Sequence, residues 1–336
     1  MSIVSSALTV FRTSRLVTAL FAVAALATIP LGNARAEYPD RPVTIVACFP
    51  PGGGTDLAVR MINVQLGQAL GQPVIIENRG GAGGSVGTGV VARATPDGYT
   101  LLSCSSAFVV NPSLYAKVPY DPFKDFEPIM VIGASPNVFV VPALSKIKSM
   151  KELIAKAKAD PGKLNWTSPG VGTTPQLAGE LLKIKAGINM VHIPYAGAGP
   201  ANNAVLAGLV DMYAANYGSL TGLLSAKKVR PIAVTSKMRW PDLPDVPTLD
   251  ELGIKDAESD TFQALLAPAG TPKPIIDKLA KAIGKILAEP DIKAKYAKLG
   301  LPVLAEGPDK FAARIKREVP MYKAVIDKAG LQIKNK

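Results

Sequence analysis

The stretch Phe49-Pro50-Pro51-Gly52-Gly53-Gly54-Thr55-Asp56 constrains this chain more than any other. An apolar, β-branched run (residues 42–49) leads into it, and an amphipathic run (residues 57–70) follows. The order is strand, glycine turn, helix. The strand run lacks polar alternation, so both of its faces are expected to be buried, as in a parallel sheet covered by helices on both sides. Glycines let the backbone turn tightly and bring its N–H groups up to a ligand with no Cβ in the way. Thr55 and Asp56 stand where helix caps stand. A helix N-terminus with clustered free N–H groups attracts anions, so this turn reads as one jaw of a site for a small anion.

The first 36 residues read as a leader. Arg12 and Arg15 precede an apolar run (residues 16–31), and Ala34-Arg35-Ala36 is an A-x-A cleavage signal before Glu37. That is the pattern of a secretory signal peptide, and no stop-transfer pattern follows. Cleavage after Ala36 predicts an exported, soluble, periplasmic chain of about 300 residues. Losing Arg12, Arg15 and Arg35 lowers the net charge from +12 to +9. Much of the remaining charge is lysine alternating with apolar positions near the C-terminus, the pattern of a solvated helix face. Aromatic residues make up 6%, too few for the stacking surface of a nucleic-acid binder. The two cysteines, Cys48 and Cys104, fall late in predicted strands. A bridge is chemically allowed in an oxidising compartment, and two buried free thiols is the preferred reading. With one histidine and no CxxC, neither a metal site nor a cofactor is expected.

Beyond the first unit, residues 72–78 and 99–103 read as strands. A glycine-rich loop (79–85) and a helix to about residue 94 lie between them. This β-α-β-α-β series is the half-unit of a doubly wound sheet. In the usual strand order 2-1-3, the first turn and Ser105-Ser106 share one cleft. Residues 111–115 read as irregular. The apolar residues 128–141 read as a long strand passing between lobes. A second series follows: a strand at 164–168, the turn Pro169-Gly170-Val171-Gly172-Thr173-Thr174-Pro175, and a helix at 176–185. Strands at 190–195, 209–216 and 229–235, a helix at 200–207 and a short helix at 248–252 complete it. Residues 262–268 return to the first lobe, and helices at 274–288, 290–299 and 308–328 close the chain. The expectation is α/β with two lobes, each a doubly wound, mostly parallel sheet with flanking helices. Lobe 1 comprises 37–136 and 262–336, and lobe 2 comprises 137–261.

Catalytic motifs fare poorly. Gly83-Gly84-Ser85-Val86-Gly87 fits G-x-S-x-G, and Ser85, a later Asp (Asp97 or Asp121) and His192 follow the chain order of a secreted serine hydrolase. A nucleophile elbow must turn straight off a strand, however, and here a glycine run intervenes. Gly87-Thr88-Gly89-Val90-Val91-Ala92 matches G-x-G-x-x-A but lies inside a predicted helix, where it reads as close packing. Each donor-rich turn alone resembles any tight βα connection. Two of them, on two lobes facing one cleft and with no acid–base couple, favour binding without turnover.

Several stretches together are similar to one family. They are Tyr38-Pro39-Asp40-Arg41-Pro42, the Pro50–Asp56 turn (50–56), Glu77-Asn78-Arg79, Gly81-Ala82-Gly83-Gly84, Pro96-Asp97-Gly98-Tyr99-Thr100 and Asn111-Pro112-Ser113-Leu114-Tyr115, then Pro194-Tyr195-Ala196-Gly197, Asp245-Val246-Pro247-Thr248 and residues 266–272. The set resembles the Bug family, the extracytoplasmic solute receptors of tripartite tricarboxylate transporters, across the whole mature chain. The resemblance implies a periplasmic-binding-protein fold of type II-like design. It also implies a hinged trap for a small organic carboxylate, a membrane permease as partner, and a monomer. It assigns ligand contact to Gly53, Gly54, Thr55 and Asp56, to Ser168, Gly172, Thr173 and Thr174, to Ser105 and Ser106, and to Asn216. Phe49 stands at the turn's entrance, where it can pack on the ligand body. The chain departs from the family at Gln176, often His, and at Ala215, often Asp. A receptor that senses for a signalling partner rather than transports shares all these features.

Overall fold

The computed structural model describes residues 37–195 and 197–333. The chain falls into two units, Met1–Asp40 and Arg41–Lys336. The expected leader and its cleavage point lie outside the described residues, and all that follows concerns the second unit.

The strands are β1 (Val43–Ala47), β2 (Val74–Asn78), β3 (Thr100–Ser105), β4 (Phe126–Pro142), β5 (Asn165–Ser168), β6 (Val191–Pro194), β7 (Met212–Asn216), β8 (Val229–Val234), β9 (Asp260–Pro268) and β10 (Val303–Glu306). They join in the order β2-β1-β3-β9-β4-β7-β5-β6, with β8 and β10 also paired to β4. At one end β2-β1-β3 is a parallel triplet. At the other, β6-β5-β7 is a second one. Between them β9 and β4 run antiparallel to their neighbours. β1 and β5 are the middle strands of their triplets, and each feeds one of the two glycine turns. β4 pairs with β9 up to Pro136, then with β7 and β8 from Asn137 onward. This is the long crossing strand that the apolar run implied, and it gives the α/β, two-lobed design its spine.

The helices are α1 (Gly54–Arg60), α2 (Asn63–Leu70), α3 (Ser85–Ala92), α4 (Ala107–Leu114), α5 (Met150–Ala159), α6 (Thr174–Ala186), α7 (Ala198–Leu206), α8 (Tyr217–Ser225), α9 (Lys273–Ala288), α10 (Pro290–Lys298) and α11 (Pro308–Ala329). α11 packs on α4, on β4 and on α6, so it touches both halves of the sheet. One apolar core accordingly runs from Val46, Phe108 and Phe311 to Phe139, Trp166 and Leu177.

Several local expectations change. The amphipathic run after the first turn is two helices, because Ile62 leaves the helical region at φ −120°. Residues 111–114 are helical despite Pro112. A proline cannot serve the carbonyl four residues back, and here the Tyr120 hydroxyl donates to the Phe108 carbonyl instead (3.0 Å). α8 and β10 have no counterpart in the sequence reading, and in place of the expected helix at 248–252, Thr248 bridges to Val234 and residues 249–252 form turns. Cys48 and Cys104 are free and buried. Burial pushes the Cys48 thiol up to about 12 and raises that of Cys104 as well. Gly87 and Gly89 do serve close packing. A Cβ would lie 2.4 Å from the Arg79 carbonyl oxygen at the first and 2.6 Å from the Pro119 ring at the second.

Candidate functional site

The first turn begins where β1 ends. Gly52 takes a left-handed conformation (φ +81°), and Gly53, not Thr55 or Asp56, is the N-cap of α1. Thr55 and Asp56 are the second and third residues of the helix, and both are buried. The Asp56 carboxylate accepts the Gly52 N–H (2.8 Å), the Arg60 Nε–H (2.8 Å) and an Asn78 amide N–H (2.8 Å). The Arg60 bond chiefly holds its pKa down to about 2. Its charge is therefore matched within the protein. The Thr55 hydroxyl donates to Gln263 Oε1 (2.7 Å), and the Thr55 carbonyl accepts from the Ser103 hydroxyl (3.1 Å).

The second turn repeats the plan. Gly172 is left-handed (φ +78°), and a Cβ there would lie 2.2 Å from Leu114 Cδ2, so the turn is pressed onto the end of α4. Thr173 caps α6, its hydroxyl donating to the Gly170 carbonyl (2.7 Å). Gln176, the third residue of the helix, accepts the Gly172 N–H (2.6 Å). The Thr174 hydroxyl bonds that of Thr261. Ser168 is fully buried, and its Oγ shares a 2.8 Å bond with His192 Nε2. The His192 ring lies on Trp166, 4.2 Å between centroids. Burial, then the nearby Lys183, holds this imidazole down to about 4, so it is neutral at physiological pH.

β9 gathers these parts. Thr261 and Gln263, two residues apart on one strand face, reach the second and first turns respectively. Ser105 stands beside Gln263 in the β3–β9 ladder. The Ser106 Oγ accepts the Phe262 N–H (2.9 Å) and donates to the Asp260 carbonyl (3.2 Å). Asn216 caps α8 through its Oδ1 and donates to the Ser135 carbonyl (3.3 Å). Ser135 is in turn the ladder partner of Thr261. The Phe49 ring packs at Gly84, where a Cβ would meet it at 3.1 Å, and its carbonyl accepts from the Asn78 amide (3.0 Å) that also bonds Asp56.

Most side-chain hydroxyls and amides in the expected set are thus engaged by the protein itself. Among the described residues the Gln263 Nε2 amide has no acceptor, and neither do the backbone Gly54, Thr55 and Asp56 N–H groups of α1 or the Thr174 N–H of α6. The backbone groups are the donors every helix leaves unpaired in its first turn. Such an array holds a carboxylate by hydrogen bonds and helix dipoles, without a cationic side chain. Ser85 and His192 are not brought together. The Ser85 Oγ bonds the Asn111 amide (3.1 Å) on the β1 side of the sheet, whereas His192 sits on edge strand β6 against Ser168. The expectation from sequence missed Thr261 and Gln263. Their signal was polar residues at alternate positions in Thr261-Phe262-Gln263-Ala264-Leu265-Leu266.

Comparison with known proteins finds relatives along most of the chain. Residues 58–331 match the tripartite tricarboxylate transporter family receptor. A protein of Pseudomonas sp. (strain P51) is 38% identical over 290 residues, 86% of each chain. Periplasmic binding protein BugD superposes with a TM-score of 0.72 at 38% identity, over 89% of this chain and 100% of its own. MatC from Rhodopseudomonas palustris, solved with bound malate, superposes with a TM-score of 0.70 at 31% identity, over 86% and 100%.

Proposed function

The chain belongs to the tripartite tricarboxylate transporter receptor family, the Bug receptors, and we propose that it is a periplasmic receptor trapping a small organic carboxylate between the turns at 52–56 and 168–174. The observation that carries this reading is the pairing of the two turns. Each follows the middle strand of a parallel triplet, each opens a helix with N–H donors that have no acceptor among the described residues (Gly54, Thr55 and Asp56 in α1, Thr174 in α6), and both are bonded to β9. The malate in MatC supports the same ligand class. Signal cleavage after Ala36 delivers the protein to the periplasm. Residues 37–136 with 262–336 form one lobe and 137–261 the other, hinged where β4 changes partners near Pro136 and where β9 returns. Closure of the lobes buries the ligand and creates the surface a membrane permease reads.

The test is a thermal-shift screen of the purified protein against small mono- and dicarboxylates and their amides, repeated after denaturation and refolding to remove any carried-through ligand. Ligand at a hundred times its dissociation constant adds about 2.7 kcal/mol of stability. A shift with an acid and none with its amide is expected. No shift with any acid after refolding would sink the reading.

A further inference from the structure

We infer that the Gln263 carboxamide is a ligand-reading donor of this site, and that Thr55 serves it as an orienting group rather than touching the ligand through its own hydroxyl. The inference rests on the carboxylate-receptor reading and deepens it by naming the side chain that selects an anion.

Gln263 is buried (7% exposed) on a strand whose neighbours Phe262, Ala264, Leu265 and Leu266 are apolar and fully buried. A polar amide in such a strand costs free energy unless its hydrogen bonds are made. The protein meets only half of its capacity, and the other half keeps access to solvent. Oε1 accepts the Thr55 hydroxyl at 2.7 Å, while the N–H groups of Nε2 have no acceptor among the described residues. That nitrogen lies against the first residue of α1: a Cβ built on Gly54 would sit 3.2 Å from it. Glycine at 54 leaves this space open between the amide and the helix start. The Gly54 N–H beside it, like those of Thr55 and Asp56 in the same first turn, has no acceptor among the described residues. An unpartnered amide donor pair at the start of this helix suits an acceptor with several lone pairs, which a carboxylate has.

The division of labour follows from the Thr55 bond. Its hydroxyl proton is committed to Oε1, which turns Oε1 away from the site and presents Nε2. Thr261, one step along the same strand face, ties β9 to the second turn in the same way. A ligand bonded to Nε2 is thereby coupled to the strand that both turns share.

Gln263→Glu separates these roles. It is nearly isosteric and keeps an oxygen for the Thr55 hydroxyl, but it replaces the donor pair with a second acceptor carrying negative charge. The experiment measures calorimetric affinity for malate and adipate at pH 7.5 in wild type and Q263E, with the unliganded melting temperature of each. Expected is an unliganded melting temperature near that of wild type and at least about a tenfold loss of affinity, the size of a lost hydrogen bond to a charged group. The loss should be smaller for the monoamide of the same acid. Wild-type binding matched within twofold by Q263E overturns the inference and leaves the receptor reading standing. A refolded wild type that binds neither these acids nor any other carboxylate of the screen overturns the receptor reading and this inference with it. If Q263E does not fold, the side-chain amide signal of Gln263 in wild type, followed by 15N NMR during titration with a bound acid, reads the same contact. It is expected to shift on binding, and a signal that stays put overturns the inference.

Discussion

Asp56 and Gln176 hold the same position in two different helices. Each is the third residue of its helix, and each accepts the N–H of the left-handed glycine four residues earlier, Gly52 at 2.8 Å and Gly172 at 2.6 Å. The bond pins each turn and removes one donor from it, and at the helix starts the Gly54, Thr55, Asp56 and Thr174 N–H groups keep no acceptor among the described residues. The two ends differ in charge. Asp56 is ionised and matched by Arg60 and Asn78, whereas Gln176 is neutral.

Asp56→Asn keeps an acceptor for Gly52 but loses the Arg60 pair. The folded carboxyl is held down to about 2, chiefly by Arg60, below its unfolded value near 4. Its stabilisation is therefore present above about pH 4 and is lost as pH falls toward 2. The variant should be less stable than wild type at pH 7 by about 1–2 kcal/mol, the size of a hydrogen bond to a charged group. That deficit should narrow on acidification. Urea unfolding at pH 7 and pH 3.5 measures both, and a deficit that does not change with pH would refute the account.

Gln176→Glu retains an acceptor for the Gly172 N–H and adds a negative charge in the first turn of α6. A carboxylate there stabilises the helix by about 0.3–1 kcal/mol, so melting of the unliganded protein should be unchanged or slightly raised. Binding of an anionic ligand at the Thr174 N–H should weaken, by about tenfold for like charges at close range. Unchanged affinity for a carboxylate that binds wild type would place the ligand away from this turn.

Strands β1 to β9 and both turns were legible in the sequence because glycine, proline and apolar runs act locally, whereas the short β10 was not. Residues 42–56 and 164–175 announce strand, turn and helix without help from distant residues. The tethers were not legible. Thr55 to Gln263 spans 208 positions, and no local rule connects a turn threonine to one glutamine in a later strand. Pro112 misled for the same reason, since its helix survives through a tyrosine eight residues further on. α8 was hidden because Asn216 ends a strand and caps a helix at once.

His192→Phe tests the Ser168 pair. Phe keeps a ring on Trp166 and removes the bond to the Ser168 Oγ. The folded imidazole titrates near 4, chiefly because it is buried, and the unfolded one near 6.5. The unfolded chain therefore binds the proton more readily, and wild type loses stability as pH falls from about 6.5 toward 4. Partial exposure limits this to about 1 kcal/mol. The chain contains a single histidine, so the comparison between variant and wild type isolates that group. Melting temperatures across pH 4.5–7 should fall less steeply on acidification in the variant, and parallel curves would contradict the assignment.

Glu318→Gln should act with the opposite sign. The buried Arg314 guanidinium binds Asp260 (2.9 Å), Glu306 (3.0 Å) and Glu318 (2.9 Å), three carboxylates around one cation. Arg317 adds a bond to the same Glu318 oxygen (3.1 Å), while Glu318 Oε2 has no partner among the described residues. Burial first, then the neighbouring Asp260, raises the Glu318 carboxyl to about 7. The folded state thus holds the proton more tightly than the unfolded one. Its contribution is full below about pH 4.5 and is lost as pH rises through 7. Glutamine keeps an oxygen for Arg314 and carries no charge to desolvate, and Arg314 retains Asp260 and Glu306. E318Q should therefore be more stable than wild type at pH 8, by about 1–2 kcal/mol, with little difference at pH 5. Chemical denaturation at the two pH values measures this. A variant less stable than wild type at pH 8 would mean that the ionised carboxylate stabilises the cluster by more than its burial costs.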